Sequence, residues 1–101
     1  MPNQGFAGLL VINLQFPSAR SLKDKRAHLR SIKAHMQRAG YSVSEVAHHD
    51  LWQRSQLAVS VVARGSNDVE HRLDEAARIC ERVGCEATTV QRSVLSLSEW
   101  E

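Results

Sequence analysis

Between Phe6 and Phe16 the chain runs FAGLLVINLQF, and no other stretch narrows the possible folds as much. Extended, it places Phe6, Gly8, Leu10, Ile12, Leu14 and Phe16 on one face and Ala7, Leu9, Val11, Asn13 and Gln15 on the other. Both faces are largely apolar. A strand of this kind belongs in the middle of a sheet, with helices over one side and a second cover, such as another subunit, over the other. With the Phe6 set turned toward the helices, Leu9 and Val11 lie at the centre of the remaining face.

The rest of the chain supplies the elements that such a strand needs. Pro17 and Ser18 break it, and Ser21 followed by Asp24 resembles a capping box with an acid in place of the usual Glu or Gln. A helix should start at Leu22, because Leu22, Leu29, Ile32 and Met36 fall within about 80° on a helical wheel, and Gly40 is its natural stop. Tyr41 to His49 alternates poorly, which predicts an edge strand with a bulge. Asp50-Leu51-Trp52-Gln53-Arg54 forms a connecting turn. Leu57, Val59, Val61 and Ala63 then alternate with Ala58, Ser60 and Val62 as a second central strand. Asn67 with Glu70 caps a second helix from Asp68 to about Val83, along which Val69, Leu73, Ala76, Cys80 and Val83 form one stripe. Gly84 ends it, and Glu86 to Leu97 closes the chain as a strand. Residues 98–101 form a tail that is mobile unless Trp100 finds a pocket.

The order strand, helix, strand, strand, helix, strand predicts an α+β fold, the ferredoxin-like βαββαβ sandwich: a four-stranded antiparallel sheet with both helices on one face. A chain of 101 residues suits a single domain of this kind over 1–101, its core running from about 6 to 97. No run of about 18 uncharged apolar residues is present, which argues against a membrane-spanning helix. Met1-Pro2-Asn3-Gln4 puts no positive charge ahead of the apolar run, unlike a secretory signal. Two cysteines, Cys80 and Cys85, are too few for a disulfide framework. A soluble, cytoplasmic protein with reduced thiols is the expectation.

Charge is distributed unevenly. Arg20, Lys23, Lys25, Arg26, Arg30, Lys33 and Arg38 stand against one acid, Asp24, so residues 20–38 carry +6. The other 82 residues hold six basic and ten acidic groups, and the net charge of +2 conceals the contrast. On the wheel Lys23, Arg26, Arg30 and Lys33 lie beside the apolar stripe in an arc of about 80°, a ridge rather than a scatter. Arg20 precedes the helix and Lys25 projects from its first turn.

The strings Ala19-Arg20-Ser21-Leu22-Lys23-Asp24-Lys25-Arg26, Val43-Ser44-Glu45-Val46 and Asp50-Leu51-Trp52-Gln53-Arg54 together resemble the bacterial YlxP-like family of uncharacterised small proteins. The resemblance spans about Leu9 to Val94. It implies a ferredoxin-like fold and no established activity. It also implies an association with translation initiation and ribosome maturation, since members are often encoded beside such genes.

Two functional readings follow. In the first, Arg20, Lys23, Lys25, Arg26, Arg30 and Lys33 contact the phosphates of RNA or a ribonucleoprotein. The plainer alternative is that Asp68, Glu70, Asp74, Glu75 and Glu81 of the second helix neutralise them. In the second, the protein is a homodimer or assembly module using Leu9 and Val11 of the sheet face together with Trp52 and Arg54, residue types that anchor binding hot spots. Leu51 and Trp52 could equally cap one end of the core. The face of Leu9 and Val11 carries no aromatic, so bases would find nothing to stack on there. His28 with His35, His48 with His49, and Cys80 with Cys85 all lack the spacing of a paired zinc site. Consecutive His48, His49 and Asp50 point to opposite faces of a strand, and no catalytic residue, metal or cofactor is expected.

Overall fold

The structure, a computed structural model, describes residues 4–81 and 84–99. Its elements are β1 (Phe6–Gln15), α1 (Leu22–Arg38), β2 (Ser42–Ala47), β3 (Arg54–Ala63), α2 (Ser66–Glu81) and β4 (Glu86–Ser96), followed by a short 3-10 turn, Leu97–Glu99. The sheet is antiparallel with order β2-β3-β1-β4. β1 is central, as its two apolar faces require. Its Leu10, Ile12 and Leu14 are buried beneath Leu29, Ile32 and Met36 of α1 and Val69, Leu73, Ala76 and Ile79 of α2. Ala7, Leu9 and Val11 occupy the opposite face, and no helix covers them.

Local chemistry sets the ends of the helices. Ser21 Oγ accepts a hydrogen bond from the Asp24 amide, 3.0 Å, which begins α1 at Leu22. The Asp24 carboxylate reaches past Ser21 and accepts from the Arg20 amide, 3.0 Å. At the other end Gly40, with φ of 92°, lets its own amide bond Gln37 O and the Tyr41 amide bond Met36 O, each within 3.1 Å. This is a Schellman closure. The Tyr41 hydroxyl then donates to Arg72 O at 2.6 Å, and Arg72 lies over the Tyr41 ring and donates to Ala39 O, tying the end of α1 to α2. Burial pushes the Tyr41 hydroxyl up to about 12, and its hydrogen bond to Glu75 adds to the shift.

Several boundaries differ from the sequence expectation. α2 begins at Ser66 because the Gly65 carbonyl accepts the first helical bond, from the Val69 amide at 3.2 Å, so Asn67 lies inside the first turn instead of capping it. β3 begins at Arg54, since Arg54 and Ser55 pair with Gln15 and Leu14. The expected turn therefore ends one residue earlier. β2 stops at Ala47, where His48 takes φ of 65°. Its bulge lies between Glu45 and Ala47, on the edge strand where the broken alternation put it. Ser98 and Glu99 belong to the 3-10 turn, held by a bond from the Leu97 amide to Gly5 O at 2.9 Å, and are not a loose tail. Val83, Trp100 and Glu101 lie outside the described residues.

Candidate functional site

Lys23, Arg26 and Arg30 project from α1 into solvent, Lys33 is half-buried, and Arg20 is exposed just ahead of the helix. The four helical residues step by three, four and three positions and share one flank. On the opposite flank His28 stacks on Phe16, ring centroids 5.4 Å apart. Three of the acids of α2 are engaged elsewhere. Glu70 and Asp74 pair with Arg92 of β4 at 3.3 and 2.8 Å, and Glu75 lies 3.7 Å from Arg72. Among the described residues no carboxylate comes within ion-pair distance of the side chains of Arg20, Lys23, Arg26, Arg30 or Lys33. The proposed neutralisation by α2 is absent from this set.

Lys25 is the exception, and its expected place on the surface is corrected. It is 1% exposed. Its ammonium donates to Glu45 Oε2 at 3.1 Å and to the carbonyls of His48, His49 and Arg54 at 2.8, 3.3 and 3.2 Å. An ammonium removed from water needs a partner for each of its three N–H groups, and four acceptors surround this one. Burial alone would raise the Glu45 carboxyl. Hydrogen bonds from Ser55 and Lys25 outweigh that and hold it below its ordinary value. Spacing could have revealed this position: Lys25, Leu29, Ile32 and Met36 step by four, three and four, so Lys25 stands in the apolar stripe itself.

This node holds the connection between β2 and β3, whose residues 48–53 face the connection between β1 and α1. The Phe16 amide donates to Gln53 O at 2.9 Å, and Gln53 Nε2 donates to Ala19 O at 3.2 Å. Between the two connections lies a cleft of about 470 Å³ lined by Gln15, Pro17, Leu51, Trp52, Gln53 and Arg54. Trp52 is 46% exposed, so it is not a lid on the core. His49 bonds Glu45 O at 3.1 Å, and neither His49 nor Asp50 lines the cleft. Cys80 and Cys85 are both buried free thiols; Cys85 Sγ donates to Cys80 O at 2.8 Å, and burial pushes the Cys80 thiol up to about 12. Among the described residues no cluster of three or more His, Cys, Asp and Glu could hold a metal, and no helix is long and apolar enough to cross a membrane.

The open face of the sheet is the third feature. Pairing aligns Ala7 with Val62 and Leu95, Leu9 with Ser60 and Ser93, Val11 with Ala58 and Gln91, and Asn13 with Gln56 and Thr88. None of these residues is charged. At the end beside the cleft charges enter, where Gln15 lies between Arg54 and Glu86.

Strand order and helix placement together define an α+β sandwich of the ferredoxin-like kind, with one helix flank left cationic. The chain belongs to a family of proteins of unknown function, DUF503, whose model matches residues 7–93. None of the curated proteins compared with it matches. Among solved structures it is similar to the Bacillus subtilis YXEP protein, described as a dinuclear metal binding peptidase of the M20 family, at 11% identity and a TM-score of 0.60. That match covers 94% of this chain and 27% of the peptidase chain, so this chain spans about a quarter of the length of that relative. It is also similar to the de novo designed protein Foldit4, at 9% identity and a TM-score of 0.50 over 89% of this chain and 97% of the design. At these identities the likeness is one of fold alone.

Proposed function

We propose that this protein is a YlxP-like, cytoplasmic, non-enzymatic accessory of translation or ribosome maturation. In this reading it binds structured RNA or a ribonucleoprotein surface through the cationic flank of α1. One observation carries the reading: Lys23, Arg26, Arg30 and Lys33 share one flank of α1, Arg20 stands exposed just ahead of it, and none of the five has a carboxylate partner for its side chain among the described residues. Unpaired cations at helical spacing contact a phosphate backbone without reading its sequence. The test is fluorescence anisotropy with a labelled RNA hairpin between about 50 and 200 mM salt. If all the strip residues meet phosphates, log affinity should fall with log salt at a slope of roughly −3.5 to −4.5. The triple variant R26E/R30E/K33E should lose binding while its circular dichroism is unchanged. A folded protein that ignores the hairpin at low salt would refute the reading.

A second reading is favoured by the uncharged open face. Two copies packed sheet to sheet would meet no like-charge repulsion across its centre, with Leu9 and Val11 in the middle and Trp52 and Arg54 at the rim. Strands about 34 Å long, four abreast at about 4.8 Å, present roughly 600 Å² per copy. That reaches the lower range of stable interfaces, about 1,200 Å² in total. Light scattering on dilute protein decides it. A dimer that Leu9→Asp converts to a folded monomer supports the sheet contact, and a wild-type monomer refutes it.

A further inference from the structure

We infer that the cleft lined by Trp52 and Arg54 seats one unpaired nucleotide of the bound RNA. This rests on the RNA reading and assigns the cleft a part in it that the α1 flank does not have.

A nucleotide offers three surfaces: a flat apolar base face, a hydrogen-bonding base edge, and an anionic phosphate. The cleft meets each one. Trp52 supplies a half-exposed indole, with Leu51 and Pro17 completing an apolar wall. The Gln15 side-chain amide has no hydrogen-bond partner among the described residues and can both donate and accept, as reading a base edge requires. Arg54 is the one charged residue of the lining, and among the described residues no carboxylate pairs with it. Glu86, across Gln15, forms no ion pair with it either. At about 470 Å³ the cleft is of ligand-pocket size, whereas protein contacts are broader and flatter.

The cleft is also braced before anything binds. Lys25 bonds the carbonyls of His48 and His49 at the start of the 48–53 connection and that of Arg54 just past its end, and Gln53, its last residue, ties it to the segment leading into α1. Pro17 in the wall lies three residues before Arg20, where the cationic strip begins. A strand leaving a duplex on that strip therefore has a short path into the cleft. Stacking on an exposed aromatic tolerates any base, so the expected preference is for an unpaired nucleotide and not for a sequence.

The experiment uses full-length protein carrying Trp100→Phe, which leaves Trp52 as its sole tryptophan. Two RNA probes are compared, a blunt hairpin and the same hairpin with a short 3′ single-stranded extension. The extended hairpin should quench Trp52 fluorescence and bind about tenfold tighter than the blunt one. Trp52→Ala should erase that difference while leaving blunt-hairpin affinity unchanged, and its circular dichroism reports that the fold persists. Equal binding of the two probes, with fluorescence unmoved, overturns the nucleotide seat and leaves the α1 reading standing. Failure of both probes to bind overturns the two together. Quenching that tracks protein concentration without RNA assigns the cleft to a contact between copies, and likewise overturns the seat.

Discussion

Lys25→Met and Arg26→Met remove the same charge from adjacent positions of α1, and their expected costs differ by an order of magnitude. Lys25→Met strands the Glu45 carboxylate and three carbonyls without their donor, and should destabilise the fold by about 3–5 kcal/mol. Arg26→Met, on the open flank, should change it by less than about 0.5 kcal/mol. Urea unfolding of the two variants checks the contrast. Glu45 supplies the pH dependence. Its carboxyl titrates below its ordinary 4.5 in the folded chain, so its contribution is complete above that value and is lost as pH falls through the depressed one. Glu45→Gln should therefore flatten the acid limb of stability below about pH 5, measured as urea midpoints across pH. Half of this node was legible in the sequence. Lys25 continues the spacing of Leu29, Ile32 and Met36, and a polar residue in an apolar stripe signals a buried partner. Its partners left no such trace, because three of the four acceptors are backbone carbonyls, which every residue possesses.

At the level of elements, α1 serves two surfaces at once: one side seals the core and holds Lys25, and an adjoining flank stays cationic. Helical periodicity recorded this division apart from Lys25, and strand alternation recorded the two-sided apolar strand β1 and the bulged edge strand β2. Start points were recorded less well. Asn67 and Glu70 have the spacing of a capping box, yet a glycine carbonyl two residues earlier already accepts the first helical bond. Arg54 is polar and so resembles turn, yet pairing with Gln15 draws it into β3. Both are decided by partners distant in sequence. The approach of α2 to β1 is another such matter, and Gly8 marks it. A Cβ at Gly8 would lie 2.5 Å from Val69 Cγ1 and 3.2 Å from both Leu73 methyls. Gly8→Ala should therefore cost about 1–3 kcal/mol by forcing α2 off the sheet. Adding Val69→Ala should recover part of that, and a double-mutant cycle by denaturant unfolding would show the coupling.

For the molecule as a whole, the two proposed surfaces lie on opposite sides of the sheet. α1 covers one face, and the uncharged patch around Leu9 and Val11 forms the other. If two copies join through that patch, the helices face outward on both sides. With layers about 10 Å thick, the two α1 axes stand roughly 30 Å apart and face away from each other. A short hairpin cannot touch both strips, so dimerisation gives no avidity. The dimer should then bind two hairpins with equal, independent affinities, and a monomeric Leu9→Asp variant should bind one with the same affinity as each site of the dimer. Calorimetry on both proteins measures this directly. A loss of affinity in the monomer would mean that the RNA site spans the interface, with the cationic strip supplying only part of it. The cleft at Trp52 reaches toward that interface, because Gln15 and Arg54 stand at the end of the open face. Adding Trp52→Ala to the monomeric variant therefore separates the cases. An unchanged blunt-hairpin affinity places the RNA on α1 alone, and a further loss places part of it at the sheet end.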